Sequence, residues 1–328
     1  ALDSARSRIA ARDGLEVDTL AAVPRAPEWA DPAAGEDAID LLNAAFATDG
    51  ALIRVRAGVD AGTVAIVSIG TGEGVSHALR HVLRLEEGAT LNLLETQLGG
   101  GDNVTTTVCR VRLDDDATLR RVQAELKDDA AIHFANLHAE LGARARLADL
   151  TLIRGGRFHR QQDFVDLAGP QAEAQVDSAY LLRGRQHADT HLVVNHLVPH
   201  GTSRETFKCV MDERARGAFQ GRIHVAPGAQ KSDGRMAAHG LLLGEAAEFD
   251  AKPELEIYAD DVVCAHGATA GALDEEQMFY LRARGVPERE ARALLIAAFV
   301  AETFDAVEDE EVRAALRSLA RAWLAGEE

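Results

Sequence analysis

Cysteine is scarce in this 328-residue chain. There are three, Cys109, Cys209 and Cys264, widely spaced and odd in number. A disulfide framework is therefore not expected, and a reducing cytoplasm is the natural compartment. No Cys-x-x-Cys pair is present to hold a structural metal or a cluster unaided. Basic residues are in deficit, 35 Lys plus Arg against 53 Asp plus Glu, for a formal charge of −18. Such a chain repels a phosphate backbone, which argues against a nucleic-acid partner. Long apolar runs are missing too. The longest, Ala293 to Ala301, is about half a bilayer crossing, and no charged-then-apolar leader opens the chain, so a soluble, unexported protein is expected. The glycine-rich run Gly70-Thr71-Gly72-Glu73-Gly74 lacks the Gly-Lys-Ser/Thr ending of a phosphate-cradling loop. It reads as a turn, and no nucleotide is expected to bind this chain.

What is present is an ordinary globular balance, 47% hydrophobic and 27% charged, long enough to bury a large core. Two short helical patterns open the chain. The second, from about Glu36 to Thr48, carries Ile39, Leu42, Ala45 and Phe46 on one stripe before Gly50. Between them Pro24, Pro27 and Pro32 flank Trp29 in an expected ordered loop. From residue 51 the texture becomes short runs of Val, Ile, Leu and Thr divided by Gly, Asp or Asn. Expected strands include Thr63 to Ile69, Thr90 to Leu98, Val104 to Leu113, Ala130 to Leu137 and Arg146 to Ile153. Further along come Ala188 to Val198, Glu205 to Met211, Gly217 to Val225 and Leu255 to Tyr258.

No convincing amphipathic helix of crossover length separates these runs, which argues against a doubly wound sheet. Sandwich, barrel and solenoid remain, and the scarcity of tight-hairpin signals favours the solenoid. The end of the chain returns to helix. Asp274 and Gln277 form a capping box, Gly285 stops that helix, and Pro287 opens the next, with Ala291, Leu294, Leu295, Ala298 and Phe299 at helical spacing. A last helix carries Val312, Leu316, Leu319 and Trp323 on one stripe, with Arg313, Arg317 and Arg321 on another. The expected organisation is an N-terminal helical region and loop over 1–50, a strand-rich core over 51–272 and a C-terminal helical subdomain over 273–328.

The densest chemical signal is Cys264-Ala265-His266. In an extended segment residues two apart face the same way, so a thiol and an imidazole point together. That pair suits a soft metal or a sulfide-bearing cluster. Two ligands do not close a four-ligand site, so the rest would come from elsewhere, such as another chain. The ordinary alternative is a buried cysteine and a surface histidine with no joint task. His196 and His200 have a zinc-helix offset, but Pro199 and the β-rich surroundings oppose a helix. His133, His138, His224 and His239 read as satisfied side chains on a solvated face. Ser203 and Cys209 lie near histidines without any Gly-x-Ser-x-Gly elbow.

Several ordered runs in the C-terminal half point further. They are Ala229-Gln230-Lys231-Ser232-Asp233-Gly234, Leu241-Leu242-Leu243, Lys252-Pro253-Glu254-Leu255-Glu256-Ile257-Tyr258-Ala259-Asp260-Asp261-Val262, Cys264-Ala265-His266-Gly267-Ala268-Thr269, and Asp274 through Gly285. Together they resemble the SufB/SufD family of the SUF iron–sulfur assembly system, in the SufD form. The resemblance is strongest over about 216–304 and extends weakly back to Leu42 through Gly50.

It implies a mainly β fold, a right-handed parallel β-helix flanked by N- and C-terminal helical regions. It implies a non-catalytic scaffold that pairs with SufB and docks on the SufC ATPase, with a transient iron–sulfur cluster at the SufB–SufD interface. His266, then Cys264, match interface ligand positions. By the same resemblance the C-terminal helices meet SufC, with Glu288, Arg289, Arg292 and Glu302 as candidate contacts. Two other readings stay open: a homodimeric β-solenoid interaction module, and a carbohydrate-active β-helix enzyme. The latter would need paired acids and stacking aromatics, and the chain has only two Trp and three Tyr.

Overall fold

A computed structural model describes residues 12–22 and 37–326. The proline-flanked Trp29 lies outside the described residues. The body is a parallel β-solenoid made of two facing sheets. One holds β3 (Asp60–Thr71), β5 (Thr90–Gly100), β7 (Thr118–Glu125), β9 (Arg146–Ile153), β11 (Glu173–Leu182), β13 (Thr202–Met211), β15 (Asp233–Leu242) and β17 (Val263–Gly271), stacked in that order. The other stacks β2 (Ala51–Val55), β4 (Val75–Leu85), β6 (Asn103–Leu113), β8 (Ile132–Leu141), β10 (Phe158–Leu167), β12 (His187–His196), β14 (Arg216–Val225) and β16 (Glu248–Ile257). Where the first opening helical pattern meets described residues, Leu15–Thr19 is instead a strand, β1, which pairs antiparallel with β2 and ends that sheet.

Each coil contributes one strand to each sheet, and the register stacks like positions in rows. Leu91, Leu119, Leu147, Ala174, Ser203, Gly234 and Cys264 form one lumen-facing row. The next inward row runs Leu93, Arg121, Asp149, Val176, Glu205, Met236 and His266. One corner repeats a left-handed residue from coil to coil, among them Asp116 (φ 58°), His200 (φ 67°) and Lys231 (φ 63°). At this corner His200 donates its backbone N–H to Gln230 O, so the His196–His200 offset belongs to a strand end and a turn. The glycine run begins in the last two residues of β3, Gly70 and Thr71, and turns over 72–74, with Gly72 and Gly74 at positive φ before β4 begins.

The helix α1 (Ala38–Phe46) is capped by Asp37, whose side chain accepts from the Ile39 and Asp40 N–H groups. Its orientation reverses the amphipathic reading. Asp40 and Asn43 are buried against the outer sheet face, while Leu41, Leu42 and Phe46 are exposed. The outer face there carries Arg80, Arg110 and His138, and their positive charge and donors need an anion more than an apolar cover. Asp40 lies 3.8 Å from Arg80 and 3.7 Å from Arg110 and accepts from His138.

After β17 come α2 (Glu275–Ala283), α3 (Glu288–Phe304) and α4 (Glu310–Ala325). Asp274 caps α2 as its spacing predicts, accepting from Glu276 and Gln277 N–H, and Gly285 follows at φ 85°. The buried face of α3 is Ala291, Ile296, Val300 and Phe304, rotated from the expected one, and Leu294 is exposed. Helix α4 buries Leu316, Ala320 and Trp323, with Val312 and Leu319 packed alongside. Both helices cover the outer face of the odd-numbered sheet, against Leu150, Leu152, Ala179, Leu181 and Val210.

Candidate functional site at the open end of the solenoid

Strand β17 ends its sheet, and no strand lies beyond it among the described residues. Its register against β15 pairs Gly234 with Cys264 and Met236 with His266. Because Met236 is buried in the core, this register puts Cys264 and His266 on the lumen-facing side of the last coil. There they have neighbours below and none above. Cys264 is half-buried and packs at the rim of the core, and burial raises its thiol above the ordinary value. His266 is exposed. Among the described residues the one cluster of three potential metal ligands lies elsewhere, so this pair gathers no third ligand from them.

The coils below the pair hold polar groups that the sequence reading did not assemble. Gly234, directly under Cys264 in its row, has no side chain, and a Cβ there would stand 3.3 Å from Ser203 Oγ. Ser203 Oγ in turn lies 2.9 Å from His196 Nε2. Both residues are fully buried, and burial pulls His196 down to about 4, so the imidazole is neutral. Sealed from solvent, this pair fills the lumen rather than forming a nucleophilic centre. In the His266 row, Glu205 lies two coils down behind Met236, and burial pushes its carboxyl up to about 8. Cys209 and Cys109 are buried in the core and their thiols are pushed far up by desolvation. The pattern that exposes these groups is the period of two along β13, Ser203-Glu205-Phe207, which becomes legible once the strand's inward face is known.

The other histidines split between the two sides of the sheet. His138 lies on the outer face, hydrogen-bonded to Asp40 and stacked on Phe164. His224 contacts Tyr258, and His239 bonds Thr269 Oγ1 at 2.7 Å. His133 departs from the solvated-face reading. Its register places it inside the lumen, 2% exposed, against Glu125 and Thr107. An alternation of inward and outward positions cannot by itself say which set faces water when both are polar.

On the helical side, Glu288 pairs with Arg282 at 3.5 Å and Glu302 pairs with Lys208 of β13. Arg292 donates to Leu243 O at 3.4 Å. Arg289 and Arg292 both line a cavity of ≈ 850 Å³ between the start of α3 and the end of α4, together with Asp212, Glu213 and Trp323.

Comparison with known proteins bears on this architecture. The family model described as "SUF system FeS cluster assembly, SufBD core domain" matches residues 68–299. The chain is 34% identical over 245 residues, 74% of its length, to the iron-sulfur cluster assembly protein SufD of Escherichia coli K12, covering 58% of that relative. It is 31% identical over 202 residues to an iron-sulfur cluster assembly SufBD family protein of Synechocystis, covering 61% of this chain and 44% of the relative. It is 30% identical over 261 residues to a SufBD family protein of Mycobacterium tuberculosis H37Rv, covering 76% and 64%. The chain thus spans about half to two thirds of the length of these relatives. The matched region takes in nearly the whole solenoid, from the end of β3 through β17, and most of α3. With that match over most of its length and its stacked parallel coils, the chain belongs to the SufBD core family of the SUF iron–sulfur cluster assembly system.

Proposed function

We propose that this chain is a non-catalytic scaffold subunit for iron–sulfur cluster assembly. It pairs with a SufB partner along β17 and holds the nascent cluster, its cargo, at that junction through His266 with Cys264 beside it. The observation that carries the reading is the coincidence of an unpaired terminal strand with two adjacent metal-ligand side chains that lack a third. An open strand edge presents backbone donors and acceptors for another strand to meet. An iron ion needs about four ligands, so a site holding two of them on one chain is completed by the partner. His266 ligates as neutral imidazole. The Cys264 thiol is raised by burial, so it binds when the metal or a partner cation draws off its proton.

The SufC ATPase docks on the helical subdomain, over the cavity that Arg289 and Arg292 line, with Glu288 and Glu302 on the same helix as further contacts. Nucleotide is handled by that partner. Three free cysteines, two of them deep in the core, suit a reducing cytoplasm. The test is co-expression of this chain with SufB and SufC from the same organism, with the affinity tag on this chain. Both partners, iron and acid-labile sulfide are expected in the eluate. Reversing charge at Arg289 and Arg292 together is expected to release SufC and leave SufB bound. A tagged chain that elutes alone would contradict the assignment.

A further inference from the structure

Well away from the open end, strands β7, β8 and β10 bring Glu125, His133 and His159 together inside the lumen. They are 1%, 2% and 1% exposed, and their candidate ligand atoms all lie within 4.8 Å of one another. The proposed scaffold role uses none of them.

Hydrogen bonding fixes which atoms are free. Gln161 Nε2 donates to Asp163 Oδ1 at 2.6 Å, which turns Gln161 Oε1 toward His159 Nε2 at 3.3 Å. His159 therefore donates from Nε2 and keeps a bare lone pair on Nδ1. That Nδ1 has no hydrogen-bond partner and faces Glu125 Oε2 at 3.9 Å, and Glu125 Oε1 has no partner either. His159 Nδ1 and Glu125 Oε1 are thus two acceptors left without a partner in a sealed interior, which is costly unless something positive lies near both. His133 completes the set. Its Nδ1 meets Glu125 Oε2, and its Nε2 lies 3.0 Å from Thr107 Oγ1. Charge points the same way. Leaving aside Asp163, whose carboxyl burial raises to about 7, these coils bury Glu95, Glu125 and Asp149 against two cations, Arg121 and Lys127, and Arg121 is already engaged by Glu95 and Asp149.

We propose that Glu125, His133 and His159 form a buried site for one divalent transition metal ion, bound by two neutral imidazoles and a carboxylate. That donor set suits Zn2+, Co2+ or Fe2+ rather than Mg2+ or Ca2+. On binding, His133 carries its proton on Nε2, where Thr107 Oγ1 accepts it, and its Nδ1 and Glu125 exchange their hydrogen bond for the metal. Thr107 and Gln161 then orient the two rings from behind, as outer partners of metal-bound histidines do. Lys127 lies beside the site, with Nζ donating to Thr105 Oγ1 at 2.7 Å, and it competes with the metal for Glu125. It also lines a surface cavity of ≈ 720 Å³ with Asp128, Arg154 and Gln186.

The test is Co2+ titration of the chelator-treated full chain, followed by visible absorption, with anomalous scattering at the cobalt edge from crystals grown with Co2+. One Co2+ per chain is expected, with the anomalous peak between the three side chains. His159→Gln should weaken binding by more than the roughly 10–100-fold that loss of an outer partner costs. Lys127→Met should tighten it, and the double variant Cys264→Ala/His266→Ala should leave it unchanged, which separates this site from the open end. No Co2+ bound at concentrations on the order of 100 μM, where even weak specific binding is visible, would overturn the proposal. Binding that survives His159→Gln, or an anomalous peak elsewhere, would do the same. If His159→Gln fails to fold, the position of the anomalous peak in the wild-type protein decides.

Discussion

One lumen-facing row passes through two different environments. In the middle coils it holds Arg121 and Asp149, and at the last coil it holds His266. Arg121 is 3% exposed, donates to Asp149 Oδ1 at 2.8 Å, and also engages Glu95 and Gln123. Its charge is consumed by neighbours in its own and adjacent coils. His266 occupies the same row but has a neighbour on one side only, so its imidazole is available to whatever docks on β17. In a solenoid, then, the same inward position has its charge satisfied when coils lie above and below it, and keeps an exposed side chain when the stack ends. Between these extremes the lumen turns aromatic. Phe207 stacks with Phe219 at 4.9 Å and Phe249 at 6.0 Å, and Tyr180 meets it edge-on at 4.8 Å.

The largest effect should follow from breaking a middle-coil charge. Arg121→Met leaves Glu95 and Asp149 buried without their cation, and a loss of about 3–5 kcal/mol is expected in urea unfolding. A loss under about 1 kcal/mol would show that these coils do not depend on internal pairing. In the aromatic coils the expected cost comes from overfilling. A Cβ at Gly240 would stand 2.4 Å from the Phe249 ring, so Gly240→Ala should cost about 1–3 kcal/mol, measured the same way.

The pH dependence sharpens the comparison at a smaller scale. Burial pushes Asp163 up to about 7 and Glu205 up to about 8, well above an unfolded carboxyl near 4.3. In that window the folded chain holds protons that the unfolded chain has lost, so stability falls as pH rises and levels off above the folded values. Buried histidines such as His159 and His196, pulled down to about 3 and about 4, act in the opposite sense but only below the free imidazole value of about 6.5. Between pH 6.5 and 8 a decline of about 2 kcal/mol is expected, falling to about a third of that in Glu205→Gln. A flat profile would contradict the assignment of protonated carboxyls to the lumen. The smallest effect belongs to the open end. His266→Ala should move stability by no more than about 0.5 kcal/mol because its side chain is exposed, and Cys264→Ala, half-buried at the rim, by no more than about 1 kcal/mol.

The fold is legible where a strand is dense in β-branched and aliphatic residues on either face. Arg146 to Ile153 matches β9 to the residue and Val104 to Leu113 misses β6 by one, because both are rich in Val, Leu, Ile or Thr, inward at Leu147, Ile153, Val111 and Leu113 and, in β9, outward at Leu150 and Leu152. Strands such as β7, with Arg121, Gln123 and Glu125 inward, or β10, with His159, Gln161 and Asp163 inward, lack that mark. Leu255 to Tyr258 captured only the end of β16, since Pro253 and its charged neighbours disguise a strand that tolerates proline because it ends its sheet. No strict repeat was visible, because the row Leu147, Ala174, Ser203, Gly234 drifts by a few residues from coil to coil. The Cys264–His266 pair was legible because its geometry needs only a strand. The lumen ligands were not, because Glu125, His133 and His159 come from three coil segments that only the register brings together.

The central claim is that the last coil's His266 serves a partner-shared cluster and not the fold. The most direct test is the iron and acid-labile sulfide content of the co-purified complex with SufB and SufC, wild type against His266→Ala, with thermal unfolding recorded in parallel. The account predicts an intact complex of unchanged stability that has lost most of its iron and sulfide, with Cys264→Ala intermediate. Full loading in His266→Ala, or a complex that no longer assembles, would contradict it.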